Sequence, residues 1–254
     1  MLYSLFSSIN SLEILKSISS RSCLAAFTAF FISIFFGHWF IKRLRSLKVG
    51  EDTTKTDSEE LKRMHFDKKN TPTMGGIVII VSILVSVLLW CNIYNEYILL
   101  LMFTLIWFGV LGFIDDYIKL TQTKAAGLTD VSKLLFQSAL GLILGLILYF
   151  HMKKFAWGTH VVIPLVKDFR PDLGPLYILF VTFFIVGMSN AVNLTDGLDG
   201  LAIGCGIIAG IAFAVVAYVS GRMDFSNYLR ILYIPGSGEL SVFCAALAGG
   251  GLGF

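Results

Sequence analysis

Cysteine, histidine and charge are all scarce in this 254-residue chain, and each shortage removes a class of function. Cys23, Cys91, Cys205 and Cys244 are the only cysteines, they lie in or beside apolar blocks, and no Cys-x-x-Cys occurs. They read as small buried hydrophobes rather than metal ligands or disulfide partners. The histidines number four. His38 sits in an apolar block, and His65, His151 and His160 stand apart from one another, so none receives a role. A net charge of +3 gives no reason to expect a nucleic-acid partner. A basic segment at the N-terminus is missing too, and Glu13 interrupts residues 1–21, so they do not read as a signal peptide.

What remains is apolar. Hydrophobic residues make up 56% of the chain and the mean hydropathy is +0.78, whereas a soluble domain holds roughly 45–50% apolar residues. The excess falls in seven blocks: Cys23–Ile41, Gly75–Cys91, Tyr97–Ile114, Leu134–Phe150, Leu176–Ala191, Leu201–Val219 and Leu240–Phe254. Most approach the roughly 17–25 residues that cross hydrocarbon as a helix. The spacing predicts an all-α, polytopic membrane bundle forming one domain over residues 1–254. Before the first block, Leu2, Leu5, Phe6, Ile9, Leu12 and Leu15 recur at helical spacing. They fit an interfacial helix or, equally, a frayed terminus. Between the fourth and fifth blocks, Val161–Pro164 and Pro171–Pro175 suggest a short hairpin and a turn.

Orientation follows from basic residues. The connection 42–74 holds nine Lys or Arg, four of them (Lys42, Arg43, Arg45, Lys48) abutting the first block, and Asn92–Glu96 holds none. Positive charge beside a span marks the cytoplasmic side. Alternation then makes 42–74, 115–133 and 192–200 cytoplasmic. Lys153, Lys154, Lys167 and Arg170 in the opposite loop weaken the signal without matching the asymmetry of the first hairpin.

The three cytoplasmic loops carry the chemistry-bearing residues. Asp115 and Asp116 follow the third block directly. Adjacent like charges repel and a helix C-terminus disfavours anions, so a bound cation or a shared proton would relieve the conflict. Asn190, Asn193, Asp196 and Asp199 recur at intervals of three, which would place them on one face if helical. Lys68, Lys119 and Lys133 are point charges suited to phosphate, although each alone could simply set topology. Carboxylates for a hard cation together with ammonium groups are the furniture of phosphoryl transfer, with magnesium the fitting ion.

These strings resemble the phospho-N-acetylmuramoyl-pentapeptide-transferase family, within the wider polyprenyl-phosphate N-acetylhexosamine-1-phosphate transferases. The matching residues are Thr71-Pro72-Thr73-Met74-Gly75-Gly76, Gly112-Phe113-Ile114-Asp115-Asp116-Tyr117-x-Lys119, Lys133-Leu134-Leu135-x-Gln137, Asn190 through Leu201, and Lys167-Asp168-Phe169-x-Pro171-Asp172-Leu173-Gly174. The resemblance runs from the first span onward. It implies magnesium-dependent transfer of the phospho-sugar of UDP-N-acetylmuramoyl-pentapeptide to undecaprenyl phosphate, giving lipid I and UMP, at the bacterial cytoplasmic membrane. It implies Asp115 and Asp116 as catalytic residues near the lipid phosphate and metal. One of them would deprotonate the lipid phosphate, or alternatively form a covalent aspartyl intermediate. Lys68 would contact the nucleotide, Lys119 and Lys133 the phosphates. Asn190, Asn193, Asp196, Gly197, Leu198 and Asp199 would line the nucleotide pocket, with Thr73 beside it. Dimers occur in the family, which leaves a homodimer open.

Two departures stand out. Asn70 replaces the usual Gly before Thr-Pro-Thr, which a turn tolerates. The family's ten-span pattern, its Phe-Met-Gly-Asp segment with the magnesium-binding Asp, and its histidine-rich loop are not within the 254 residues. The last block also runs into Gly249-Gly250-Gly251-Leu252-Gly253-Phe254 without a polar tail. The expectation is therefore a truncated chain, inactive alone, which exchange of labelled UMP into the UDP-sugar would check. The competing readings are an N-acetylglucosamine-1-phosphate transferase, an ion-coupled transporter (which would want midplane charges on broken helices), and a non-catalytic remnant.

Overall fold

In the computed structural model, residues 16–46, 74–121, 127–155, 157–161, 163, 169–197 and 200–254 are described. Eight helices lie among them: α1 Ile18–Ser46, α2 Gly76–Trp90, α3 Glu96–Thr121, α4 Asp130–Met152, α5 Leu176–Thr195, α6 Leu201–Ser220, α7 Met223–Leu229 and α8 Gly238–Gly253. The apolar helices fill all seven expected blocks. Five of them (α1, α3, α4, α5, α6) are long and apolar enough to cross a membrane, and α2 and α8 are shorter. At 1.5 Å per residue, the 15 residues of α2 reach about 22 Å of a roughly 30 Å hydrocarbon layer. The protein is thus a polytopic helical membrane protein. Its surface agrees: Phe27, Phe31, Phe35 and Trp39 form a stripe one turn apart along α1, each at least 51% exposed. Such a stripe would be a liability in water and is the normal lipid-facing surface of a span.

Helix ends differ from the sequence reading. Helix α1 starts at Ile18, so residues 18–22 join the first span, and the rest of the expected interfacial helix lies outside the described residues. Helix α3 continues seven residues past Ile114, which puts Asp115 and Asp116 inside its last two turns rather than in a loop. Helix α4 begins at Asp130, where Thr129 caps it by accepting from the Ser132 amide, so Lys133 is helical. Helix α7 was not anticipated. In the loop 153–175, an antiparallel bridge between His160 and Asp172 stands where the hairpin was expected. Val161 N–H donates to the Pro171 carbonyl at 3.0 Å, and Leu173 N–H to the Thr159 carbonyl at 3.2 Å. The Thr159 hydroxyl and the Gly174 amide both donate to Asp172, holding its carboxyl below its ordinary value of 3.8.

The chain forms two compact units, residues 128–202 and the remainder. In the larger one, α8 packs on α1 and α2 around Ala25, Ala29, Ile83, Val87, Val242 and Ala246. Gly249 lies against the Ala26 carbonyl, and one turn on a Cβ at Gly253 would come within 2.5 Å of the Phe30 carbonyl oxygen. This small-x-x-x-small seam brings two backbones into van der Waals contact where larger side chains could not fit. A second seam, Gly141 and Gly145, joins α4 to α5 in the smaller unit. A Cβ there would stand 2.8 Å from Thr182 Cα and 2.9 Å from the Ile178 carbonyl oxygen.

One buried charge pair closes the larger unit at the α8 N-terminus. Arg21 donates bidentately to Glu239 at 2.9 and 2.7 Å, and Glu239 also accepts from the Asn92 amide at 2.8 Å. Arg21 further donates to the Trp90 carbonyl at 3.2 Å. Three segments are thereby pinned: the start of α1, the α2–α3 connection and the start of α8.

Candidate functional site

The carboxylates of α3 sit where its apolar run ends. Asp115, Asp116 and Lys119 occupy the same turn, and the Lys119 ammonium lies 2.8 Å from Asp115 and 3.8 Å from Asp116. This pairing answers the electrostatic conflict noted in the sequence, because one cation faces both anions near the helix C-terminus. The two acids are not equivalent. The Asp115 side chain is 14% exposed and takes the close contact, whereas that of Asp116 is 32% exposed. Together they offer hard oxygen donors of the kind magnesium accepts from protein, one or two carboxylates completed by phosphate oxygens and water.

Gly127 is part of this cluster and was missed. Its φ of +93° is one that side-chain-bearing residues rarely adopt. A Cβ there would stand 2.6 Å from Asp115 Oδ1 and 2.9 Å from Lys119 Cε. The backbone at Gly127 therefore lies against the carboxylate and its ammonium partner. A lone Gly after Ala125-Ala126 gives no sequence signal for this.

Asp116 also closes one end of a groove of about 240 Å³ between α2 and α3. Apolar side chains form its walls, among them Ile77 and Ile80 from α2 and Leu105, Phe108 and Phe113 from α3. Gly76 and Gly112 line open space, with nothing within 4 Å of where a Cβ would be. Met74 turns the chain into α2 at a φ of +71°, a left-handed value that is strained for a methionine. The groove is hydrocarbon along its length and anionic at Asp116.

In the smaller unit, α5 runs helically through Asn190 and Asn193, as their spacing predicts, and both are exposed. It stops at Thr195. Asp196 is the C-cap, with φ −79° and ψ 43°. The chain leaves the helix at Asp196 and turns at Gly197, so the helical spacing that joins Asn190 to Asn193 ends before Asp196. Leu198 and Asp199 lie outside the described residues, as do Lys68 and Thr73. Buried Gln137 joins α4 to this end of α5. Its amide donates to Ser189 Oγ at 3.1 Å, and its carbonyl accepts from Asn190 Nδ2 at 2.9 Å. Lys133 is one turn before Gln137 on the same face of α4.

Similarity to known proteins decides among the readings. The family described as Glycosyl transferase family 4 matches residues 97–254, and phospho-N-acetylmuramoyl-pentapeptide-transferase signature 1 matches residues 68–80. Over 253 residues the chain is 43% identical to the phospho-N-acetylmuramoyl-pentapeptide-transferase of Oleidesulfovibrio alaskensis, covering all of this chain and 68% of that protein. The protein of the same name from Thermodesulfovibrio yellowstonii is 44% identical over 254 residues, with 69% of its length covered. That of Desulforapulum autotrophicum is 42% identical. The chain belongs to the phospho-N-acetylmuramoyl-pentapeptide-transferase family. Membership makes it a transferase of phospho-sugars and sets aside the transporter reading. Within this family's signature segment, the described part is the turn at Met74 and the start of α2, which form one wall of the groove that ends at Asp116.

Proposed function

We propose that the chain transfers phospho-N-acetylmuramoyl-pentapeptide from its UDP carrier to undecaprenyl phosphate at the bacterial cytoplasmic membrane, releasing UMP and giving lipid I. The observation that carries the acceptor side is the apolar α2–α3 groove closed by Asp116. A polyprenyl phosphate has this chemistry, a hydrocarbon chain with an anionic head. In this reading the isoprene units next to the phosphate lie along Gly112 and Ile80, and the phosphate meets the carboxylate cluster.

The reaction forms one P–O bond and breaks another. An oxygen of the lipid phosphate attacks the phosphorus that bears the sugar, and the bond from that phosphorus to the UMP oxygen breaks. Asp116, the more exposed acid, removes the lipid phosphate's proton. Lys119 balances Asp115 and lies within reach of a phosphate oxygen. Lys133, Asn190, Asn193 and Asp196, with Lys68, Thr73, Gly197, Leu198 and Asp199, serve the nucleotide-sugar. Magnesium, held by Asp116 and Asp115, would neutralise charge on the diphosphate as UMP departs. The basic connection after α1 and the alternation of spans support a cytoplasmic face for these groups.

A photoreactive polyprenyl phosphate, with its reactive group on the first isoprene unit, tests the acceptor site in detergent-solubilised protein. Crosslinks should map to α2 and α3 near Gly112, and Gly112→Phe should remove them. Labelling spread over α1 and α6 and insensitive to Gly112→Phe would refute the groove assignment. Equilibrium binding of UDP-N-acetylmuramoyl-pentapeptide against UDP-N-acetylglucosamine separates the two transferase branches. Tighter binding of the second would overturn the donor assignment.

A further inference from the structure

The chain of amides between α4 and α5 has a direction, and one backbone carbonyl sets it. Asn190 Nδ2 donates to the Val186 carbonyl at 2.9 Å and to Gln137 Oε1 at 2.9 Å. A carbonyl oxygen can only accept, so the Asn190 side-chain nitrogen, not its oxygen, must face Val186. With that end fixed, Gln137 must turn its oxygen toward Asn190 and its nitrogen toward Ser189 Oγ, 3.1 Å away. Reversing either amide would set oxygen against oxygen or nitrogen against nitrogen inside a site where Gln137 is only 5% exposed. Both hydrogens of the Asn190 amide are therefore engaged. Asn190 is exposed, and with both N–H groups engaged its Oδ1 is the group it has left to offer a ligand.

We infer that Gln137 is a positioning residue that locks Asn190 as a pure hydrogen-bond acceptor. This rests on the reading that Asn190 faces the nucleotide-sugar. It narrows what Asn190 can recognise. An acceptor cannot bind a phosphate oxygen, so Asn190 reads an N–H or O–H of the nucleoside or sugar, and the diphosphate belongs to the ammonium groups. Without Gln137, the Val186 carbonyl alone holds the Asn190 carboxamide, and its second N–H is released toward the ligand as a donor. The site would then lose discrimination for a donor-bearing ligand, while its affinity for a bare diphosphate would stand.

Three variants and two readouts test this in detergent-solubilised protein. Gln137→Leu keeps the bulk and removes both hydrogen bonds. Gln137→Glu keeps an acceptor for Asn190. Asn190→Ala removes the proposed reader. We expect Gln137→Leu to weaken UDP-N-acetylmuramoyl-pentapeptide binding about tenfold while leaving inorganic pyrophosphate competition unchanged. Gln137→Glu should restore most of the loss. In protein labelled with ¹⁵N only at asparagine, the Asn190 amide proton that meets Gln137 should move upfield in Gln137→Leu and stay in place in Gln137→Glu, while the one that meets Val186 stays put in both. Equal weakening of nucleotide-sugar and pyrophosphate, or unmoved Asn190 resonances in Gln137→Leu, would overturn the positioning role. An Asn190→Ala protein that binds the nucleotide-sugar normally would instead sink the reading on which it rests.

Discussion

At the scale of single residues, the α3 cluster concentrates consequence in few atoms. Gly127 has no room for a methyl group, because the nearest atom would be Asp115 Oδ1 at 2.6 Å, and its φ of +93° is unfavourable for any other residue. Gly127→Ala should therefore displace Asp115 or Lys119 although it removes no functional group. Manganese, as a spectroscopic substitute for magnesium, gives the check. Electron paramagnetic resonance of bound Mn²⁺ should show at least a tenfold weaker site in Gly127→Ala and in Asp116→Asn, and no change in the exposed-helix variant Phe183→Leu. Asp172 supplies the pH prediction. Its folded carboxyl titrates below 3.8 because Thr159 and Gly174 donate to the ionised form. The turn's extra stability is thus complete above that pH and is lost as pH falls through the lower folded value. The Gly174 amide proton shift should titrate with a midpoint below 3.8.

At the scale of elements, the two glycine seams do the joining. A Cβ on Gly141 would meet the Thr182 backbone at 2.8 Å, and overpacking of this kind typically costs about 1–3 kcal/mol. Gly141→Val should lower the thermal midpoint of the detergent-solubilised protein and weaken the Gln137–Asn190 link one turn away, which the asparagine spectra would report. Spans were legible in the sequence because length and apolarity alone define them. Their ends were not. Asp115 and Lys119 look like loop residues, yet their i,i+4 pairing lets α3 continue to Thr121. Asn190 and Asn193 signalled a helical face correctly, whereas Asp196 carried the same spacing into a C-cap. The glycines of 249–253 read in the sequence only as the end of the last apolar block. They are packing residues, and what reveals them is Ala26 and Phe30 on a helix more than two hundred residues earlier. Sequence spacing shows a small-residue stripe but not its partner.

At the scale of the whole molecule, the Arg21–Glu239 pair is the longest-range polar tie described. Breaking a buried pair from one side is costly, about 3–5 kcal/mol, because the other charge is stranded. Arg21→Met should therefore destabilise the larger unit far more than Arg21→Met combined with Glu239→Met, as read by thermal unfolding in detergent. Equal losses in the single and double variants would mean the pair's charge is well solvated. Orientation belongs to this scale as well. With the native cysteines replaced, Thr121→Cys should react with a membrane-impermeant maleimide only after the cells are opened, and Lys153→Cys should react from outside.

The Arg21–Glu239 tie also has a timetable. The two residues are 218 positions apart in sequence. At a synthesis rate of roughly 5–20 residues per second, a ribosome takes about 11–44 s to make the intervening chain. During that interval Arg21 has emerged and Glu239 does not yet exist. Over that interval the Arg21 guanidinium has to find water or another acceptor, because six more helices are made before the one that carries Glu239. Ribosomes stalled at intermediate lengths should hold Arg21 accessible to arginine-directed reagents until Glu239 clears the exit tunnel, and protected thereafter.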